Sequence, residues 1–205
     1  MEQIRSAAEH EMVSTFLLAE IDSSRWSATV HANLRDRGLS EDLIRKPNLR
    51  NAVENFNRGE VLSAYRGWRR NQYIFTNWPP TFDWSLVSLG QNDLADCRYI
   101  NMPEWQLISD GTLEVTVGGS RGASPPATFP QEIALAIVSI ADALVAGTDV
   151  PTLIGVKARE LPTVFIVEGH ARITAYAMSG VPKELTMLLG TTSLAKLSTW
   201  PFYSR

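Results

Sequence analysis

The sequence predicts an α+β fold, in which a small mixed sheet with packed helices is preceded by an α-helical amino-terminal extension. Three observations support this prediction. Apolar residues recur at three- and four-residue spacing through residues 1–36, as on one face of a helix. Short apolar runs at 151–156 and 164–167 are typical of buried strands. The segment 130–146, rich in Ala and Ile, predicts a helix that packs on those strands.

The amino-terminal region is expected to be α-helical. We assign it to residues 1–90 and the sheet domain to residues 91–205. Further short helices are predicted up to Trp68, and Gly59 is placed at the end of one of them, because glycine favours helix carboxyl ends. No strand is predicted in the first third of the chain.

The middle of the chain mixes strand and loop signals. Alternating apolar and polar residues over 112–117 predict a half-buried strand. The Gly-, Ser- and Pro-rich segment 118–130 predicts a loop, either a lid or a linker, and Arg121 within it is a candidate second clamp for a phosphate. After the helix and two strands named above, residues 184–189 predict another strand and 194–200 a terminal helix.

Composition excludes several classes of protein. With 44% hydrophobic and 20% charged residues, the chain can build a substantial core. A net charge of −3 gives no global sign of nucleic-acid binding. The single cysteine, Cys97, excludes an intramolecular disulfide and a multi-cysteine metal site. No apolar run approaches the roughly 18 residues of a membrane span, and the start MEQIRSAAEHEM lacks an apolar signal core, so we expect a cytoplasmic protein without membrane contact.

The most informative stretch is TVFIVEGHARITAYAMSG, residues 163–180, which predicts a strand, a tight turn and a helix. The free N–H groups and the dipole of a helix start favour an anion. Gly169 permits a sharp turn and close approach of a ligand, and Ala171 keeps the turn open. Arg172 opposes the helix dipole by up to roughly 1 kcal/mol, which a bound anion would offset. Its planar guanidinium also suits phosphate.

Glu168 and His170 are the candidate catalytic residues of this turn. Glu168 ends the strand, where it can accept a proton, hold a metal-bound water or cap the helix. A purely structural interpretation is equally open: Glu168 caps the helix and pairs with Arg172 at i+4, while His170 hydrogen-bonds a nearby carbonyl.

The segment VFIVEGHARITAYAMSG resembles the core motif of the ParB/sulfiredoxin-like superfamily. In that superfamily a strand runs into a Gly-x-x-Arg turn, which is followed by a helix ending at Gly. The flanking elements have the same order: a helix over 130–147, the strand VPTLIGV before the motif and the strand 184–189 after it. The resemblance covers roughly residues 95–195.

The resemblance implies a protein that binds a nucleotide, ATP or CTP with Mg²⁺, and catalyses phosphoryl transfer or hydrolyses a nucleotide or phosphodiester. The residues implied to cradle phosphate are Gly169, His170, Ala171 and Arg172. Glu168 is implied to position the metal or transfer a proton. Sulfiredoxin carries a catalytic cysteine between the Gly and the His of its motif, and ParB carries a helix-turn-helix domain after this fold. Neither feature is present in this sequence, so neither activity is expected.

A second hypothesis places function in the Arg- and aromatic-rich stretch 65–84. There Arg66, Trp68, Arg69 and Arg70 are candidates to hold nucleic-acid phosphates and stack bases, in a non-catalytic module that binds nucleic acid or protein. The alternative is that these aromatic residues pin an ordered loop to the core. A third hypothesis is an accessory protein with a vestigial anion pocket. The sequence does not specify an oligomeric state.

Overall fold

The computed structural model describes residues 1–203 and shows helices on both faces of one mixed sheet. The strands are β1 (Glu2–Ser6), β2 (Asp83–Leu89), β3 (Cys97–Tyr99), β4 (Leu153–Ala158), β5 (Val164–Glu168) and β6 (Leu185–Thr192). The helices are α1 (Glu9–Glu20), α2 (Ser27–Asp36), α3 (Asp42–Arg45), α4 (Ala52–Arg66), α5 (Pro103–Ile108), α6 (Val115–Arg121), α7 (Gln131–Val145), α8 (His170–Ser179) and α9 (Leu194–Leu197). Two 3₁₀ turns span Tyr73–Phe75 and Gln91–Asp96.

The strands lie in the order β1-β2-β6-β4-β5-β3. At the centre, β4 is parallel to β6 and antiparallel to β5, and β3 is parallel to β5. On the other side of the sheet, β2 is antiparallel to both β6 and β1. The predicted strands β4, β5 and β6 and the predicted helix α7 are confirmed, because their apolar patterns match the burial that the sheet imposes on them.

Each face of the sheet carries its own core. On one face, Phe165 and Val167 of β5 pack with the amino-terminal helices and the carboxyl-terminal aromatic residues. On the other face, Val164 and Ile166 pack with helices α5 to α8. This alternation follows from the two-residue period of a strand that is buried on both sides. Residues before position 90 therefore cover one face of the sheet and also supply β1 and β2.

The expectation of a helical amino-terminal region is wrong at two strands, and the predicted position of one helix end is also wrong. Residues Glu2–Ser6 form the edge strand β1, although all five are exposed and show no strand alternation in burial. Backbone pairing with β2 stabilises this strand, and that pairing is a tertiary interaction that local sequence does not reveal. Asp83–Leu89 forms β2. Gly59 lies inside α4, which ends instead at Gly67, where φ is +76°.

The strand predicted over 112–117 is wrong, and so is the first part of the loop predicted over 118–130, because helix α6 begins at Val115 and ends at Arg121. Residues 122–130 are irregular, as predicted. The two glycines within α6 explain the difference. A Cβ on Gly118 would lie 2.2 Å from Oη of Tyr99, and one on Gly119 would lie 2.5 Å from Cβ of Ala177. These glycines let α6 pack directly against its neighbours, and this packing outweighs their poor helix propensity.

Over residues 1–203, no helix combines the length and apolar character that crossing a membrane requires.

Candidate functional site

The predicted turn lies where β5 ends and α8 begins. Glu168 is the last residue of β5, Gly169 has φ +98°, and α8 starts at His170. The first backbone bond of this helix runs from the N–H of Ile173 to the carbonyl of Gly169. Within the described part of the chain, no side chain caps the helix start, so its first three N–H groups belong to an uncapped, positively polarised end.

A cleft of about 360 Å³ opens at this turn. It lies between the start of α8, helix α7 and the amino-terminal helices α1 and α4. Its apolar walls include Phe16, Ile74, Met102, Ile133, Ile140 and Val167. Its charged lining residues are Glu20, Arg25, Arg66, Glu104, Glu132, Glu168 and Arg172. A mostly apolar cleft with a few convergent polar groups is the usual form of a small-molecule site.

Gly169 is required by both conformation and space. Its φ of +98° lies in the region that disfavours side chains, and a Cβ would come within 2.4 Å of Cδ2 of Leu153. Gly180 at the other end of α8 also has a positive φ, +61°, but a Cβ there would contact nothing within 4 Å.

These two glycines form a matched pair for mutation. We expect Gly180→Ala to cost about 1 kcal/mol, from backbone strain alone. Gly169→Ala should cost about 1–2 kcal/mol more, because the strain is joined by overpacking against Leu153. Urea unfolding of the two variants measures the difference. Equal losses would show that Leu153 moves aside freely.

Arg172 is 8% exposed, and its guanidinium is already bonded within the protein. Nη1 donates to the carbonyl oxygens of Pro151 (2.7 Å) and Thr152 (3.0 Å), and Nη2 donates to Oε1 of Glu168 (2.8 Å). The i+4 pair with Glu168 is the structural alternative raised by the sequence. Arg172 therefore links the segment before β4 to the end of β5 by hydrogen bonds, and little of its guanidinium faces the cleft.

His170 is a neutral, packed imidazole. Its ring stacks on Trp105, with centroids 4.9 Å apart and planes at 15°. Burial lowers its pKa to about 3, and the positive charges of Arg172 and Arg66 act in the same direction. Its Nε2 atom is buried with no hydrogen-bond partner in the described part of the protein. The ring also hydrogen-bonds the backbone of Ile166, as the structural alternative expects, and this bond opposes the lowering of the pKa without overcoming the effect of burial. An imidazole with this pKa is a weak base.

The amino-terminal helices contribute a polar cluster to the cleft that sequence reasoning did not assign to the site. Glu20, at the end of α1, is 2% exposed. It accepts hydrogen bonds from Arg66, through both Nη2 and Nε, and from the hydroxyl of Tyr65 at 2.6 Å. The guanidinium of Arg66 also lies 3.8 Å from the ring centroid of Trp26. One signal was present in the sequence, because Glu20 stands at i+4 from Phe16 on the apolar stripe of α1.

Arg121 does not belong to this cluster. It stands at the end of α6, where Nη1 lies 3.1 Å from Oδ1 of Asp110, and it is not among the residues that line the cleft. The loop that was expected to carry it as a mobile clamp is a helix up to this residue.

The Arg- and aromatic-rich stretch is divided between core and surface. Trp68 is 4% exposed and packs edge-on against Phe75, as the packing alternative predicts. Arg66 faces the cleft. Arg69 and Arg70 are on the surface, where they pair with Glu9 (2.6 Å) and Glu60 (3.5 Å). Arg69 also lines a second cleft with the aromatic residues of this stretch, among them Trp68 and Trp78, so the nucleic-acid hypothesis stays a prediction.

Metal-ligating residues are sparse at the turn. Among residues 1–203, no group of three His, Cys, Asp or Glu side chains is arranged to hold a metal ion. No protein-family model, curated protein or solved structure matches the chain. The function of the cleft is therefore argued from its own geometry.

Proposed function

We propose that the protein binds the phosphate groups of a nucleotide at the start of α8. The observation that carries the proposal is the uncapped helix start at Gly169–Arg172, which lines a cleft large enough for a small ligand. Backbone N–H groups at such a start point towards a bound anion, and the helix dipole favours its charge. The glycine at the turn keeps a Cβ out of the approach.

The order of elements around the turn supports the same proposal. Helix α7, strand β4, strand β5, helix α8 and strand β6 follow one another as the ParB/sulfiredoxin-like resemblance implies. In that superfamily this turn binds nucleotide phosphates. We therefore propose ATP or CTP as the ligand class.

The charges of the cleft bear on the role of Mg²⁺. Four carboxylates and three guanidinium groups line it, and His170 is neutral at pH 7, so the cleft offers no excess positive charge to a polyphosphate. The side chains present do not form a metal site of their own. We propose that Mg²⁺ enters bound to the phosphates, as it commonly does when one or two carboxylates complete its ligands. Glu168 is the carboxylate at the turn.

Binding has more support here than acid–base catalysis. Glu168 already accepts a hydrogen bond from Arg172, and His170, with a pKa of about 3, is a weak base at neutral pH. The geometry favours a nucleotide-binding protein whose reaction, if it has one, uses the ligand's own phosphates. The nucleic-acid alternative is tested by salt-dependent binding of short oligonucleotides to the variant Arg69→Ala with Arg70→Ala.

A carboxylate placed at the helix start tests the phosphate site. Ala171 lines the cleft and is the second residue of α8. We expect Ala171→Asp to weaken ATP or CTP binding at least tenfold, because its charge repels phosphate and occupies the same N–H groups. The same charge complements the helix dipole by about 0.3–1 kcal/mol, so the melting temperature should be kept or raised.

Ala171→Asn is the matched control, because it has the same shape without the charge. Isothermal titration with millimolar MgATP and MgCTP measures binding, and thermal unfolding measures stability. Nucleotide affinity equal in wild type and Ala171→Asp would contradict the site. A wild-type protein that binds neither nucleotide would contradict the function.

A further inference from the structure

Of the two buried arginines that line the cleft, Arg66 is better placed than Arg172 to meet a ligand. Arg172 donates hydrogen bonds to two backbone carbonyls and to Glu168. If Arg172 turned to a ligand, these three acceptors would lose their partner. Arg66 contacts no backbone carbonyl in the described structure; its partners are the Glu20 carboxylate and the face of Trp26. Its side chain is 14% exposed and lines the cleft that the helix start also lines.

The stacking on Trp26 fixes the plane of this guanidinium. Arginine loses side-chain freedom when it binds an anion, and a guanidinium already held 3.8 Å from an indole centroid has lost much of that freedom beforehand. The carboxylate of Glu20 occupies the hydrogen-bonding edge of the fork, as a phosphate would. Glu20 thus resembles a built-in substitute for an anionic ligand.

Glu20 also has a second partner that would remain if Arg66 turned to a ligand. The hydroxyl of Tyr65 donates to its Oε2 at 2.6 Å. A carboxylate that keeps one strong hydrogen bond is less costly to strip of its ion pair than one left alone. The nearby negative charge of Glu168 further weakens the hold of this site on an ionised Glu20.

We propose that Arg66 binds the phosphoryl group of the ligand and that Glu20 is the competitor this group displaces. The inference rests on the proposed function and goes beyond it, because it makes the amino-terminal helices α1 and α4 part of the site. It also names a selectivity. A ligand carboxylate that displaced Glu20 would replace one single negative charge at Arg66 by another, with no gain in charge. A phosphoryl dianion brings more negative charge and also contacts the helix start, so the site should prefer it.

Isothermal titration of the full chain with MgATP, inorganic pyrophosphate and acetate tests this proposal. Glu20→Gln removes the competing charge, and we expect it to tighten binding of MgATP and pyrophosphate about tenfold, in line with coupling between close charge pairs. Arg66→Gln should weaken both at least tenfold. The double variant Glu20→Gln, Arg66→Gln should bind as weakly as Arg66→Gln, because the gain from Glu20→Gln requires Arg66.

The double variant also guards against misfolding, because it leaves no uncompensated charge in the buried pair. Glu9→Gln, in the exposed pair with Arg69, is the matched control and should leave affinity unchanged. Affinity that is unchanged or lower in Glu20→Gln, or wild-type affinity in the double variant, overturns the assignment of Arg66 while the phosphate site stands. Acetate binding as tightly as pyrophosphate overturns the selectivity. A wild type that binds neither phosphate probe overturns the proposed function together with this inference.

Discussion

Glu20→Ala is expected to lower the free energy of unfolding by about 3–5 kcal/mol, because it leaves the charge of Arg66 buried without its partner. Glu20 is 2% exposed, and the side chain of Arg66 is 14% exposed. Neither water nor salt can compensate the remaining charge fully. Urea unfolding at pH 7 gives the measurement.

Glu9→Ala provides the control on the same helix. Glu9 also pairs with an arginine, Arg69 at 2.6 Å, but the two side chains are 38% and 73% exposed. Such a surface pair contributes about 1 kcal/mol or less. If both variants lose the same stability, the Glu20–Arg66 pair is solvated in solution, and its burial is not what stabilises it.

The second large effect is a loss of stability in acid that depends on His170. Burial lowers the pKa of His170 in the folded protein to about 3, below its usual value near 6.5. The unfolded chain therefore takes up a proton first as the pH falls. Stability from this residue is complete above about pH 6.5 and is lost as the pH falls towards 3, by up to roughly 4 kcal/mol.

His170→Phe keeps a ring against Trp105 but cannot titrate, so its unfolding free energy should depend less on pH over this range. The informative quantity is the difference between the two proteins at each pH. Carboxylates such as Glu20, whose pKa burial raises, titrate in both proteins and cancel in that difference. A difference that stays flat from pH 7 to pH 4 would show that water reaches the imidazole in the folded protein.

The turn at Gly169 could be predicted from sequence because its determinants are local. A buried strand, a glycine and a helical pattern follow one another within 18 residues, and each signal agrees with the others. The ion pair between Glu168 and Arg172 could also be predicted, as part of the structural alternative, because i+4 spacing on a helix places two side chains together.

The opposite wall of the cleft could not be predicted in the same way. Glu20 and Arg66 are 46 positions apart, and only the packing of α1 against α4 brings them together. The segment that forms helix α6 was predicted wrongly for a related reason. Apolar and polar residues do alternate over 112–117. The glycines that follow, however, pack against Tyr99 and Ala177, which are distant in the chain, and this packing favours the helix.

The place of β6 in the sheet has a consequence for how the chain folds. This strand lies between β2 and β4, so within residues 1–203 the amino-terminal pair β1–β2 meets the rest of the sheet only through residues 185–192. Pairing β2 with β6 closes a loop of about one hundred residues, and such long-range pairing is slow because its entropy is lost before its contacts form. During synthesis, until β6 has left the ribosome, the edge of β2 that pairs with β6 has no partner strand. The wall that carries Glu20 and Arg66 is therefore expected to be fixed late, after the turn that it faces has formed.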